Sequence, residues 1–201
     1  MTHDVPVQAL LLDVMGTLVY DPFHIEMPAF FGMELHELLS CKHPDAWVRF
    51  ERGEMEEPAF LDAFFRDGRS YDQAGFQAAV FGAYRLLDGI EPLLEELRDA
   101  GVPMHALSNY PSWYHRIEAR VGLSRFLKWT FVSCDTGVRK PDPEAYLGPA
   151  RALGLPPSAC LFVDDRESNC EAARAVGMRA VRFEGADGLR EALRSAGLRV
   201  R

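Results

Sequence analysis

Residues 7–19 read VQALLLDVMGTLV. The stretch Val7–Leu12 is a short apolar run that stops at a carboxylate, Asp13. A run of that length reads as a strand buried on both faces, the kind found inside a parallel sheet. Similar runs follow at Met104–Leu107, ending at Ser108, at Trp129–Ser133, and at Cys160–Val163, ending at Asp164. Arg179–Phe183 is less apolar and reads as an edge strand. Helical spacing of apolar residues occupies Ile90–Ala100, Trp113–Val121, Pro143–Leu153, Ser168–Val176 and Gly188–Ser195. Gly101, Gly154 and Gly177 stand just past three of these stretches, where helices end. Alternation of strand and helix predicts an α/β fold, a doubly wound parallel sheet covered on both faces.

Residues 20–86 interrupt the alternation. Met, Phe and Leu recur there at helical spacing, with polar breaks at Lys42–Asp45, Gly53 and Asp67–Tyr71. The expected organisation is a core formed by residues 1–19 and 87–201, with a small helical cap, 20–86, inserted after the first strand. Phe30, Phe31, Phe60, Phe64 and Phe65 are expected to pack that cap.

The chain has 201 residues, 48% of them hydrophobic, and a formal net charge of -8. Its length suits one core with an insertion. The acidic balance argues against nucleic acid as a partner, since a phosphate backbone attracts basic surfaces. The N-terminal residues carry no basic region followed by a signal-length apolar run. No stretch approaches the roughly 18 apolar residues of a membrane span. Cys41, Cys134, Cys160 and Cys170 have no CxxC spacing and read as free thiols of a reducing compartment. A cytoplasmic protein, monomer or homodimer, with no membrane partner, is the expectation.

Open parallel sheets bind ligands beyond the carboxyl ends of their strands. Asp13, Ser108 and the pair Asp164–Asp165 end three of the predicted strands, and Lys140 lies in the loop after another. Lysine occurs only at 42, 128 and 140, so each is informative.

Taken in order, LLLDVMGTLV, ALSN, RKPDPEAY and LFVDDRESN resemble the four signatures of the haloacid dehalogenase-like hydrolase superfamily. The resemblance covers nearly the whole chain, and the helical insertion is placed like that family's cap of the first type. It implies a Rossmann-like core that mostly hosts phosphatases. It also implies Asp13 as a nucleophile forming an aspartyl intermediate, with Ser108 and Lys140 as catalytic partners. Gly16, Thr17 and Asn109 would bind near the phosphate. Three clustered aspartates repel one another without a cation, and an all-oxygen ligand set suits Mg²⁺. Asp13, Asp165 and the backbone carbonyl of Met15 would be ligands; Asp164 would act directly or through water, and Asn169 would orient the loop. The partner implied is a small phosphorylated metabolite.

One position departs from the pattern. Most phosphatases of the superfamily carry a second aspartate two residues after the nucleophile, as general acid and base; this chain has Met15. Three readings stand. Another group transfers the proton, with Asp21, His24 and His43 as candidates, or a good leaving group lessens the need. The reaction differs, as in the dehalogenase branch or in the phosphonatase branch, whose cap lysine would correspond to Lys42. Or the chain binds a phosphorylated ligand without turnover. A second resemblance, carried by DPFHIEMPAFFGMELHELLSCKHPDAW and SNYPSWY, is to a plant and bacterial branch that includes flavin mononucleotide phosphatases. Trp47 and Trp113 either face the flavin or pack the lid.

Overall fold

A computed structural model of the protein describes residues 5–200. The first four residues of the expected core segment, and the N-terminal end of the stretch read for a leader, lie outside that range. Five parallel strands form one sheet: β1 (Ala9–Leu12), β2 (Met104–Ser108), β3 (Lys128–Val132), β4 (Cys160–Asp164) and β5 (Arg179–Arg182). Their order is β3-β2-β1-β4-β5. The most apolar strand is thus central, and β5 takes an edge as its composition predicts. β3 takes the other edge; it ends at Val132 rather than Ser133, because Ser133 opens the short helix that follows, Ser133–Thr136.

Side chains of β1 alternate between two cores, as the two-residue period of a strand requires. Leu10 and Leu12 join the cluster containing Leu93, Leu97, Ile117 and Leu189. Leu11 joins the opposite cluster with Leu107, Tyr146 and Phe162. Helices α6 (Ile90–Asp99), α7 (Tyr114–Val121), α8 (Ser133–Thr136), α9 (Glu144–Ala152), α10 (Glu167–Ala175) and α11 (Ala186–Ser195) supply the coverage. β1 pairs Leu12 with Ala106 of β2 and with Val163 of β4, and the amide of Asp13 donates to the Val163 carbonyl at 2.9 Å. This register brings the carboxyl ends of β1, β2 and β4 to one rim.

Between β1 and α6 run five helices: α1 (Glu26–Phe30), α2 (Leu35–Cys41), α3 (Ala46–Glu51), α4 (Glu57–Asp62) and α5 (Gln73–Ala83). An isolated antiparallel bridge, Lys42 to Phe65, joins the ends of two of their loops. Phe60, Phe64 and Phe65 are buried, and Phe31 meets Phe64, Phe65, Tyr71 and Phe76 with ring centroids 4.9–5.5 Å apart. Aromatic pairs at these separations reinforce burial by about 0.5–1.5 kcal/mol each. The four cysteines are free; Cys160 and Cys170 are buried, whereas Cys41 and Cys134 are partly exposed. Among the described residues, no helix is long and apolar enough to cross a membrane.

Candidate active site

Asp13 sits where β1 ends, in a turn that doubles back at once: the amides of Leu18 and Val19 both donate to the Val14 carbonyl, at 2.9 and 2.8 Å. Gly16 occupies that turn with φ 77°, and a Cβ on it would lie 2.9 Å from Oδ2 of Asp165. Only a glycine permits both the left-handed backbone and this approach. Thr17 links the two acidic loops, donating to Oδ2 of Asp13 at 3.3 Å and accepting from the amide of Asp165 at 3.1 Å.

Lys140 is buried, 2% exposed, between two carboxylates. Its Nζ lies 2.7 Å from Oδ1 of Asp13 and 2.6 Å from Oδ2 of Asp164. Asp164 is held in turn by Asn169, whose Nδ2 donates to both its oxygens at 3.1 and 3.0 Å, and by the amide of Arg166 at 2.8 Å. Asn109, which lines the cavity, pairs its amide with the Lys140 backbone. Its Nδ2 donates to the Lys140 carbonyl at 2.9 Å and its Oδ1 accepts from the Lys140 amide at 2.8 Å.

Electrostatics follow from this packing. Burial raises the Asp13 carboxyl to about 7; Lys140 opposes the shift, and Asp164 and Asp165 add to it. Burial would lower the Lys140 ammonium, but Asp13 and Asp164 outweigh it, and the group ends above its ordinary value. Burial and the neighbouring Asp164 raise Asp165. Oxygens of Asp13, Asp164 and Asp165 all fall within 4.8 Å of one another. Three carboxylates and one ammonium leave an excess of negative charge in hard oxygen donors, a set that fits a small divalent cation. Ser108 Oγ is buried and, among the described residues, is the buried side-chain polar atom without a hydrogen-bond partner. Leaving a hydroxyl so costs about 1–3 kcal/mol, a cost removed when an oxygen ligand accepts its hydrogen bond.

The acidic rim opens into a cavity of about 230 Å³ under the helical segment. Asp13, Met15, Asn109, Lys140 and Asn169 line it from the sheet side; Phe23, Met27, Lys42, Trp47 and Glu51 line it from the other. Met15 therefore lines the cavity at the position where most phosphatases of the superfamily carry an acid. Of the three alternative proton donors, Asp21 lines the cavity. His24 is exposed against the Phe23 ring. His43 accepts from the amides of Asp45 and Ala46 through Nδ1, both at 3.1 Å, so it caps the start of α3. Lys42 is no solvated surface lysine: it lines the cavity, and burial lowers its ammonium from the ordinary value. The tryptophans divide. Trp47 lines the cavity, whereas Trp113 is buried in the core and donates to Glu57 at 2.5 Å.

Glu51 and Arg139 are charged wall residues that the sequence reading did not single out. Glu51 is buried and pairs with Arg139, whose Nη2 lies 2.8 Å away. Glu51 stands in the acidic run FERGEMEEP, where nothing local separates it from its exposed neighbours. Arg139 directly precedes Lys140, and that adjacency was the available signal.

A family model described as haloacid dehalogenase-like hydrolase matches residues 7–177. A chloroplastic flavin mononucleotide hydrolase of Arabidopsis thaliana is 46% identical over 191 residues, 95% of this chain and 78% of that protein. A sesquiterpene phosphatase of Aspergillus oryzae is 30% identical over 152 residues, 73% of this chain and 76% of its own. Among solved structures, a HAD family enzyme of Bacteroides thetaiotaomicron in complex with magnesium and inorganic phosphate superimposes with a TM-score of 0.73. It covers 89% of this chain and 94% of its own at 20% identity, a likeness of fold.

Proposed function

We propose, from the premise that this chain belongs to the haloacid dehalogenase-like hydrolases, that it is a magnesium-dependent phosphatase of a small phosphorylated metabolite. The observation that carries this reading is the buried cluster of Asp13, Lys140 and Asp164 beside the unpartnered hydroxyl of Ser108. Residues 1–19 and 87–201 form the catalytic core in this reading, and residues 20–86 form a cap that closes over the cavity and excludes water.

Asp13 Oδ attacks the phosphorus of the substrate. The bond from phosphorus to the leaving oxygen breaks, and that oxygen takes the electron pair and a proton. A water molecule then attacks the phosphorus of the aspartyl phosphate, the bond to Oδ breaks, and orthophosphate leaves with Asp13 restored. Phosphoryl transfer of this kind depends on alignment and charge neutralisation. Lys140 supplies positive charge to both Asp13 and the phosphoryl oxygens, Ser108 donates a hydrogen bond, and backbone around Gly16, Thr17 and Asn109 cradles the group. Asp13, Asp165, the carbonyl of Met15 and, directly or through water, Asp164 would hold Mg²⁺, which when bound adds positive charge against those oxygens. Asp21 is the cavity acid available to the leaving group.

Flavin mononucleotide is the first substrate to try, on the strength of the Arabidopsis relative, with Trp47 as a wall for the ring system. Phosphate release from a panel of phosphomonoesters is expected to require Mg²⁺. Turnover should fall on the order of 10⁴-fold or more in Asp13→Asn. Undiminished turnover in that variant would sink the covalent mechanism. The cavity position of Lys42 favours one second reading, a phosphonatase-like reaction through a Schiff base. Borohydride trapping of an aldehyde-bearing phosphonate on Lys42 would replace the ester reading with that one.

A further inference from the structure

Glu51 reaches, from the helical segment, both flanks of the clamp that aims Lys140. The clamp is the reciprocal pair of hydrogen bonds between the Asn109 amide and the Lys140 backbone. On one flank, the Glu51 carboxylate accepts from Nε and Nη2 of Arg139, the residue before Lys140, at 3.2 and 2.8 Å. On the other, the Glu51 carbonyl accepts from Ser133 Oγ at 2.5 Å, and that same Oγ accepts from the amide of Tyr110, the residue after Asn109, at 3.0 Å. The second carboxylate oxygen accepts from Nε1 of Trp47 at 2.5 Å, which ties the cavity wall to the same point. Gly53, two residues on, lies so close to the core that a Cβ would meet the Cys134 carbonyl at 2.4 Å.

The Glu51 side chain is 7% exposed, and its partner Arg139 is 27% exposed. A pair this sheltered is not screened as surface pairs are, and breaking it leaves a buried charge uncompensated. Glu51 thus bonds Arg139 directly and reaches Tyr110 through the Ser133 hydroxyl, so it is linked to both residues flanking the Asn109–Lys140 pair. Resting on the phosphatase reading above, we infer that Glu51 is a positioning residue: through Arg139 and Ser133 it aligns Lys140 on Asp13, so that the reaction runs only with the helical segment seated.

Glu51→Gln keeps an acceptor for Trp47 and the backbone carbonyl for Ser133, and removes the charge that pairs with Arg139 and also acts on Lys42 and Arg166. In the full chain, kcat should fall roughly 10- to 100-fold, the loss that misplacement by about an ångström produces, while KM changes less. The double variant Glu51→Gln/Arg139→Gln should be no slower than Glu51→Gln alone. A readout free of activity accompanies these: acetylation by acetic anhydride, followed by mass spectrometry, with exposed Lys128 as internal reference. Lys140 should resist labelling in the wild type and react several-fold more in Glu51→Gln. A folded Glu51→Gln protein with unchanged kcat and unchanged Lys140 labelling would overturn the inference. So would additive losses in the double variant. Should the wild type release no phosphate from any ester, the phosphatase reading fails, while Lys140 labelling still decides whether Glu51 holds the clamp.

Discussion

Lys140 donates to Oδ1 of Asp13 at 2.7 Å, across 127 positions of sequence, with both groups buried. The same ammonium reaches Asp164 at 2.6 Å. Removing it leaves two carboxylates facing one another without a counter-charge, so Lys140→Met is expected to lose about 3–5 kcal/mol of stability. Turnover should vanish with it. With Mg²⁺ in the proposed site, substitute positive charge would enter the cluster, so the stability loss measured by urea unfolding should shrink when Mg²⁺ is added. A loss unaffected by Mg²⁺ would show that no cation enters this carboxylate cluster.

Burial raises the Asp13 carboxyl to about 7. In the proposed site Mg²⁺ would bind the ionised carboxylate, so binding below that value would expel a proton. Apparent Mg²⁺ affinity should fall about tenfold per pH unit below 7 and level off above it. Titration calorimetry in two buffers of different ionisation enthalpy would detect the released proton. The sign for folding is opposite. A carboxyl raised in the folded state contributes stability that is fully present below the ordinary value of 3.8 and is lost as pH rises through 7. The metal-free protein is therefore expected to lose this contribution between those limits.

Met15 lines the cavity two residues after Asp13, the proposed nucleophile, and cannot transfer a proton. Met15→Asp is expected to accelerate hydrolysis of alkyl phosphates by about 10²-fold or more, with little effect on aryl phosphates, whose leaving groups need no acid. Steady-state rates on a matched alkyl and aryl pair would measure the difference. No effect on either would mean that a cavity group such as Asp21 already performs the transfer, and an equal gain on both would mean that the added carboxyl does not act on the leaving group.

Much of this molecule is legible along the chain. A strand buried on both faces must be apolar at nearly every position, so β1, β2 and β4 stand out as short runs, and their polar terminators Asp13, Ser108 and Asp164 stand out with them. Asp13, Gly16 and Thr17 are neighbours by sequence, which makes their signature readable as one string. Lys140 is conspicuous because lysine is rare in this chain.

Roles that depend on which atoms face which could not be read that way. Asn109 belongs to the same motif as Ser108, yet its amide grips the Lys140 backbone, because β2 and the loop after β3 are brought side by side only by strand order. Lys42, His43 and Trp47 sit within six residues on one helical segment. Folding turns Lys42 and Trp47 toward the cavity and gives His43 a capping task. Glu51 is the sharpest case. Its charge type says nothing, since the chain carries 30 acidic residues, and its importance rests on contacts 82 and 88 positions away. The strands, their carboxyl-end residues and the family can be read along the chain, because burial on two faces and a local turn restrict residue type position by position. The partners of the Lys140 backbone and the walls of the cavity emerge on folding, because those depend on long-range pairing between groups whose types are common on any surface.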